Sequence, residues 1–217
     1  MNALQGVLFD LDGTLVDSEP LWFEVGRTVI ERHGAVWTSD SSTKLLGVNL
    51  PKIGEALQRA VGRADLSGEY LLNEVVVEIS GLLRSSVIWR PGAVSLLASL
   101  NAARVPVGLV TASYQPIVDA VRSHLPAGTF QTTVSGNDVS QGKPHPESYL
   151  LGAKRLGLEP ERCVAIEDSP TGIASAEGAG CHVIGIPSQQ PLPESPGRLI
   201  LTSLEEIDLP LLQSRVG

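Results

Sequence analysis

Aromatic residues are scarce, at 4% of 217 positions, and the chain holds two cysteines and one methionine. Few aromatics and no run of lysine or arginine remove both the stacking platform and the phosphate-tracking stripe of a nucleic-acid binder. A formal net charge of -8 points the same way, and nucleic acid is not expected as a partner. Cys163 and Cys181 lie in apolar segments without metal-ligand spacing, so they read as small buried hydrophobes suited to a reducing cytoplasm. No stretch approaches the roughly 20 apolar residues that a membrane span needs. Positions 4–11 are interrupted by Gln5, Gly6 and Asp10 and follow no basic segment, so no secretory leader is expected either. The length suits one α/β domain with a modest insertion, large enough to fold as a monomer.

What is present is organised around Val7-Leu8-Phe9-Asp10-Leu11-Asp12-Gly13-Thr14. The apolar run is too short for a helix and reads as a buried strand with two carboxylates at its end. If strand geometry persists, alternation projects Asp10 and Asp12 from the same face. Two unit charges about 4 Å apart repel by roughly 4 kcal/mol at an effective dielectric of about 20, so the pair calls for a cation. Mg²⁺ suits oxygen ligands that must share the ion with water and a phosphate. The other reading is a polar strand end with two solvated acids.

Helical patterns follow at 18–34, 50–61 and 67–83, with Ser18 as the expected N-cap of the first and Gly34 as its stop. From residue 90 helices and short apolar strands alternate: strands at 105–110, 132–135, 164–166, 182–186 and 199–201, helices at 93–103, 115–124, 146–156 and 171–178. This alternation predicts a doubly wound parallel sheet of the α/β class. The expected division is a core of residues 1–16 and 86–217 with a small α-helical cap, 17–85, inserted into it, and hinges near Val16-Asp17 and between Arg84 and Arg90.

Three later strands also end in polar residues. Thr111-Ala112-Ser113 offers hydroxyls and backbone N–H groups near a helix start, which could hold phosphate or merely cap the helix. Gly142-Lys143-Pro144-His145-Pro146 sets Lys143 in a loop stiffened by two prolines, with His145 ordering the loop. Glu167-Asp168-Ser169 is a second acidic pair, otherwise legible as a helix N-cap.

The run Asp10, Asp12, Gly13, Thr14, Leu15, Val16, Asp17, Ser18, Glu19, Pro20 resembles the first motif, D-x-D-G-T-L-V-D-S-E-P, of the haloacid dehalogenase-like superfamily. Thr111, the G-K-P-H-P segment and E-D-S-x-x-G at Glu167 resemble its second, third and fourth motifs, in the family's order. The resemblance is nearest to the branch of β-phosphoglucomutase and small sugar-phosphate phosphatases. It implies Asp10 as nucleophile forming an aspartyl-phosphate, Asp12 as general acid and base, and Lys143 on the phosphate and nucleophile. It further implies phosphate contacts around Thr111, Ala112 and Ser113, and Mg²⁺ on Asp10, the Asp12 backbone carbonyl, Asp168 and Glu167. Glu19, Trp22 and the turn Leu46-Gly47-Val48-Asn49 are the candidate substrate contacts on the cap.

The chain departs from the mutase pattern: Trp22 stands where a histidine is expected, and Leu46 and Leu50 where a lysine and an arginine are. Without those cations a second phosphate has little grip. The expected activity is therefore Mg²⁺-dependent hydrolysis of a small phosphorylated metabolite, of sugar type, with a phosphosugar mutase as the alternative. A signalling receiver carries its acceptor aspartate on an interior strand and lacks the helical insertion, and a dehalogenase has no use for Asp12.

Overall fold

The computed structural model describes residues 3–37 and 50–216. Strand β1, Gly6–Phe9, is buried on both faces, as a four-residue apolar run at the centre of a parallel sheet should be. Its side chains divide between two cores: Val7 and Phe9 join one, Leu8 the other. The remaining strands are β2, Val107–Val110; β3, Thr132–Val134; β4, Cys163–Glu167; β5, His182–Gly185; and β6, Leu199–Ile200. All pair in parallel in the order β3-β2-β1-β4-β5-β6.

The helices are α1, Glu19–Arg32; α2, Leu50–Val61; α3, Gly68–Ser85; α4, Ala93–Ala102; α5, Gln115–Arg122; α6, Glu147–Leu156; α7, Pro170–Gly178; and α8, Leu209–Val216. Apolar residues of α4, α5 and α8 cover the face bearing Val7 and Phe9, while Tyr149 and Ala153 of α6 and Ile173 and Ala176 of α7 cover the Leu8 face. This is the doubly wound arrangement expected from the alternation of elements. The last helix lies beyond the elements read from the sequence.

The chain builds outward from β1 through β2 to β3, then returns to lay β4 on the other side of β1. The carboxyl ends of β1 and β4 are thus the switch point, where open α/β sheets hold their ligands. Helices α1, α2 and α3 pack on one another, and α3 also packs on α5. At that seam the His124 ring Nε2 donates to the Leu83 carbonyl at 2.7 Å. Two chain segments connect the helical insertion to the sheet, and they run side by side: Asp17 N donates to Ile88 O and Arg90 N to Leu15 O, each at 2.9 Å, with Val16 bridged antiparallel to Trp89.

Two expectations need correction. Strand β1 stops at Phe9 and the chain turns through Gly13 at φ +82°, so strand alternation does not carry Asp10 and Asp12 outward together. Ser18 stands at the N-cap of α1 but makes no side-chain cap bond, because its hydroxyl is directed to Asp12. The expected turn Leu46-Gly47-Val48-Asn49 lies outside the described residues.

Candidate active site

The ends of β1, β2 and β4 deliver the polar residues to one place. Asp10 follows β1 directly and is fixed by its own amide, which donates to Ile166 O at 3.0 Å. Lys143 arrives from the loop before α6, preceding a cis peptide bond to Pro144. Its ammonium donates to Asp10 Oδ1 at 2.6 Å, Glu167 Oε1 at 2.5 Å and the Val110 carbonyl at 3.0 Å. It also lies 5.1 Å from the Tyr149 ring centroid, within cation–π range. A buried ammonium costs several kcal/mol to desolvate, and two carboxylates with three hydrogen bonds offset that cost.

Glu167 is fully buried. Its Oε1 accepts from Lys143 and from the Tyr149 hydroxyl at 2.8 Å. Its Oε2 accepts from the Asp168 amide at 3.1 Å and from the Ser169 amide and hydroxyl at 3.4 and 3.2 Å. A Cβ on Gly172, in the first turn of α7, would collide with this carboxylate, so only glycine admits the glutamate here. Ser169 meanwhile caps α7, accepting from Gly172 N at 3.1 Å.

Asp168 accepts from Thr14 Oγ1 at 3.3 Å. One oxygen each of Asp10, Glu167 and Asp168 falls within a cluster spanning at most 4.8 Å. Burial pushes the Asp10 carboxyl up to about 7, with Lys143 opposing and Glu167 and Asp12 reinforcing the rise. Burial pushes Asp168 further, to about 9, aided by the charges of Asp10, Glu167 and Glu19. Lys143 is held above its ordinary value: burial works against the charged amine, but Asp10 and Glu167 more than compensate. Three buried carboxylates crowded around one lysine are short of positive charge, which suits a divalent cation with oxygen ligands.

Asp12 has different neighbours. Its Oδ1 accepts from Ser18 Oγ at 2.6 Å and Trp22 Nε1 at 3.3 Å, its Oδ2 from Ser113 Oγ at 2.6 Å and Thr111 Oγ1 at 3.4 Å. Its side chain stands outside the three-carboxylate cluster. Thr111 Oγ1 in turn accepts from Ser113 N at 3.0 Å, which closes the turn after β2. Glu19, on the first turn of α1, accepts from Ser188 Oγ at 2.8 Å.

A cavity of about 160 Å³ lies between this cluster and the helical insertion. Asp10, Asp12, Thr111, Ala112, Ser113, Lys143 and Asp168 line it, so the structure brings these sequence-derived candidates together, and Glu19 and Trp22 line it as well. Glu167 lies against Lys143 but does not line the cavity. Ser18, Tyr149 and Ser169 were not singled out as site residues from the sequence. A capping position, a helix interior and a second capping position concealed them.

Comparison with known proteins identifies the family. The haloacid dehalogenase-like hydrolase family model matches residues 4–180. Hexitol phosphatase A of Escherichia coli (strain K12) is 34% identical over 204 residues, covering 94% of this chain and 93% of that protein. Fructose-1-phosphate phosphatase YqaB of the same organism is 31% identical over 182 residues, covering 83% and 95%. Among solved structures, a mutant of CbbY from Rhodobacter sphaeroides in complex with xylulose-(1,5)bisphosphate aligns with a TM-score of 0.85 at 26% identity, covering 97% of this chain and 99% of that one. The chain belongs to the haloacid dehalogenase-like hydrolases.

Proposed function

We propose that the protein is a Mg²⁺-dependent phosphomonoester hydrolase that acts on a small phosphorylated metabolite of sugar type through an aspartyl-phosphate on Asp10. The observation that carries this reading is the meeting of Asp10, Lys143 and Asp168 at the switch point of the sheet, facing a cavity. Relatives named for hexitol and fructose 1-phosphate support the substrate class.

Asp10 would attack phosphorus in line, with Lys143 holding its Oδ1 and steadying charge as the ester bond breaks. Thr111, Ala112 and Ser113, in the turn after β2, line the cavity beside Asp12 and would meet the phosphate oxygens. Asp12 would protonate the departing alkoxide and later take a proton from the water that hydrolyses the acyl-phosphate, so that one group serves both halves. Its four donors from the core and α1 fix where that carboxylate points. Asp10, Asp168 and the Asp12 backbone carbonyl would hold Mg²⁺, with Glu167 supporting them. Bound there, the ion would neutralise the approaching phosphate and the acids around it.

Residues 17–85 would serve as a cap over a core of 1–16 and 86–217, with hinges in the paired segments that join them. The mutase alternative is disfavoured because, among the described residues, Lys143 is the only lysine or arginine lining the cavity, and Leu50 lies there too. Among the described residues no further cation lines the cavity to receive a second phosphate. A monomer working in the cytoplasm completes the reading.

The test is phosphate release from a panel of sugar and polyol monophosphates with Mg²⁺, with EDTA, and with Asp10→Asn. Release that needs the metal and vanishes in the variant is expected. Undiminished activity of Asp10→Asn, or isomerised sugar phosphate without free phosphate, would refute the assignment.

A further inference from the structure

The first turn of α1 reaches the core through Glu19 and Trp22, and both side chains line the cavity. Trp22 is directed to Asp12, whereas Glu19 Oε2 accepts from the Ser188 hydroxyl at 2.8 Å. Ser188 follows β5 and is held by its neighbours. Ile186 is buried and its amide donates to Glu167 O at 2.7 Å, while the Pro187 carbonyl accepts from the Arg90 guanidinium at 3.2 Å. A Cβ on Gly13 would come within 3.3 Å of Ser188 Oγ and would collide with the Asp168 carboxylate. The serine hydroxyl therefore stands beside the turn that carries Asp12, near the cluster of acids. Among the described residues Ser188 is the hydrogen-bond donor to Glu19, and it takes one oxygen of two. An ionised carboxylate accepts hydrogen bonds and has none to give.

We propose that Ser188 is a positioning residue that sets Glu19 as the acceptor for a hydroxyl of the leaving group, so that the site takes hydroxylated, uncharged leaving groups and rejects those bearing a carboxylate or a second phosphate. The inference rests on the phosphatase reading and narrows its substrate. Asp10, Lys143 and the turn after β2 meet the phosphate, and Glu19 meets what is esterified to it. A sugar or polyol hydroxyl supplies the donor that the carboxylate lacks. An alkyl chain in its place leaves the carboxylate unpaired, which costs on the order of tenfold or more in the specificity constant. A second anion there meets like charge at short range and is rejected on that ground. Ser188 acts through Glu19: with Oε2 held from the core, the carboxylate keeps one orientation, and Oε1 is set before the leaving group arrives.

The experiment compares glycerol 1-phosphate with propyl phosphate, which lacks its hydroxyls, and with 3-phosphoglycerate, which ends in a carboxylate. Sorbitol 6-phosphate and 6-phosphogluconate repeat the charge comparison on six carbons. The wild-type protein with Mg²⁺ is expected to show at least tenfold higher kcat/KM for glycerol 1-phosphate than for propyl phosphate, and for the uncharged member of at least one charge pair. Glu19→Gln should narrow the charge ratio at least tenfold. Ser188→Ala should narrow both ratios at least threefold, and Ser188→Thr, which keeps a hydroxyl, should preserve them, with folding verified by circular dichroism. A hydroxyl that served only the fold would change every ester in proportion and leave the ratios where they are. Equal or reversed ranking in the wild-type protein overturns the inference while leaving the phosphatase reading intact. Ratios unmoved in folded Glu19→Gln or in folded Ser188→Ala also overturn it. Failure of the wild-type protein to release phosphate from any of the five esters overturns the phosphatase reading itself, and the inference with it.

Discussion

The Tyr149 hydroxyl donates to Glu167 Oε1 at 2.8 Å, the same oxygen that Lys143 reaches at 2.5 Å. A phenol from the face of α6 and a lysine from the preceding loop are thereby tied to one buried acid at the end of β4. The position of Lys143 against Asp10 depends on that shared acceptor. Tyr149→Phe leaves four donors on the carboxylate and should cost about 1–2 kcal/mol in urea denaturation. Glu167→Ala leaves the phenol without its acceptor and the ammonium with only Asp10 and the Val110 carbonyl, and a loss of about 3–5 kcal/mol is expected. Nearly equal losses in the two variants would contradict this account.

The hydroxyls on Asp12 predict a kinetic effect. Ser18→Ala and Ser113→Ala each delete a 2.6 Å hydrogen bond to one carboxylate oxygen. A hydrogen bond to a charged group is worth about 1.5–3 kcal/mol, so kcat should fall roughly tenfold or more in each variant. KM should change little in Ser18→Ala, because that hydroxyl does not line the cavity. Steady-state kinetics on one good ester decides it, and a pure KM effect would count against a role through Asp12.

Removal of metal should make stability depend on pH in an unusual direction. Asp168 is raised to about 9 and Asp10 to about 7, chiefly by burial, so the metal-free folded protein binds more protons than the unfolded chain. Stability must then fall as pH rises from roughly 4 toward 9. In EDTA the melting temperature should decline across that window, and Mg²⁺ should restore most at the alkaline end, where the carboxylates are free to ligate. Asp168→Asn should flatten the EDTA profile and abolish the response to Mg²⁺. A profile that rises through the same window would exclude the assignment.

The turn after β3 supplies an opposite case. Burial would raise Asp138, but Arg155 at 2.6 Å and the hydroxyl and amide of Ser135 more than offset it and hold the carboxyl at about 2. Stability from this group is present above the ordinary carboxylate range and lost as pH falls toward 2. Both partners are partly exposed, at 36% and 25% of their side chains, so the ion pair contributes no more than about 1 kcal/mol. Arg155→Met should cost that much or less in urea at pH 6, and the difference should shrink at pH 2.5.

The sheet, the helices on its faces and most of the residues that gather at the candidate site were legible in the sequence because they rest on local signals. Short apolar runs ending in acids or hydroxyls mark strand ends, and two prolines around Lys143 mark a stiff loop. Alternation alone does not say where a strand stops. The escape of the chain from β1 after Phe9, which parts Asp12 from Asp10, depends on a turn through Gly13 and on donors from α1 and β2.

Other features were hidden because one residue type serves two purposes. Ser18 satisfies the statistics of a helix cap while its hydroxyl is used by Asp12. Tyr149 has the apolar bulk of a core residue, and its hydroxyl finds a partner only once α6 lies against β4. Ile53 and Leu57, four apart on α2, announce a buried face without saying that it also borders a cavity. Long-range packing decides such matters.

The antiparallel pairing of Val16 with Trp89, flanked by the Asp17–Ile88 and Arg90–Leu15 hydrogen bonds, gives the helical insertion a single door post. Entry and exit strands clipped to each other must twist as one ribbon. If α1 to α3 swing as proposed, this clip restricts the motion, and Trp22 would leave Asp12 as those helices withdraw from the cavity. Admission of water and surrender of the indole contact would then be one event.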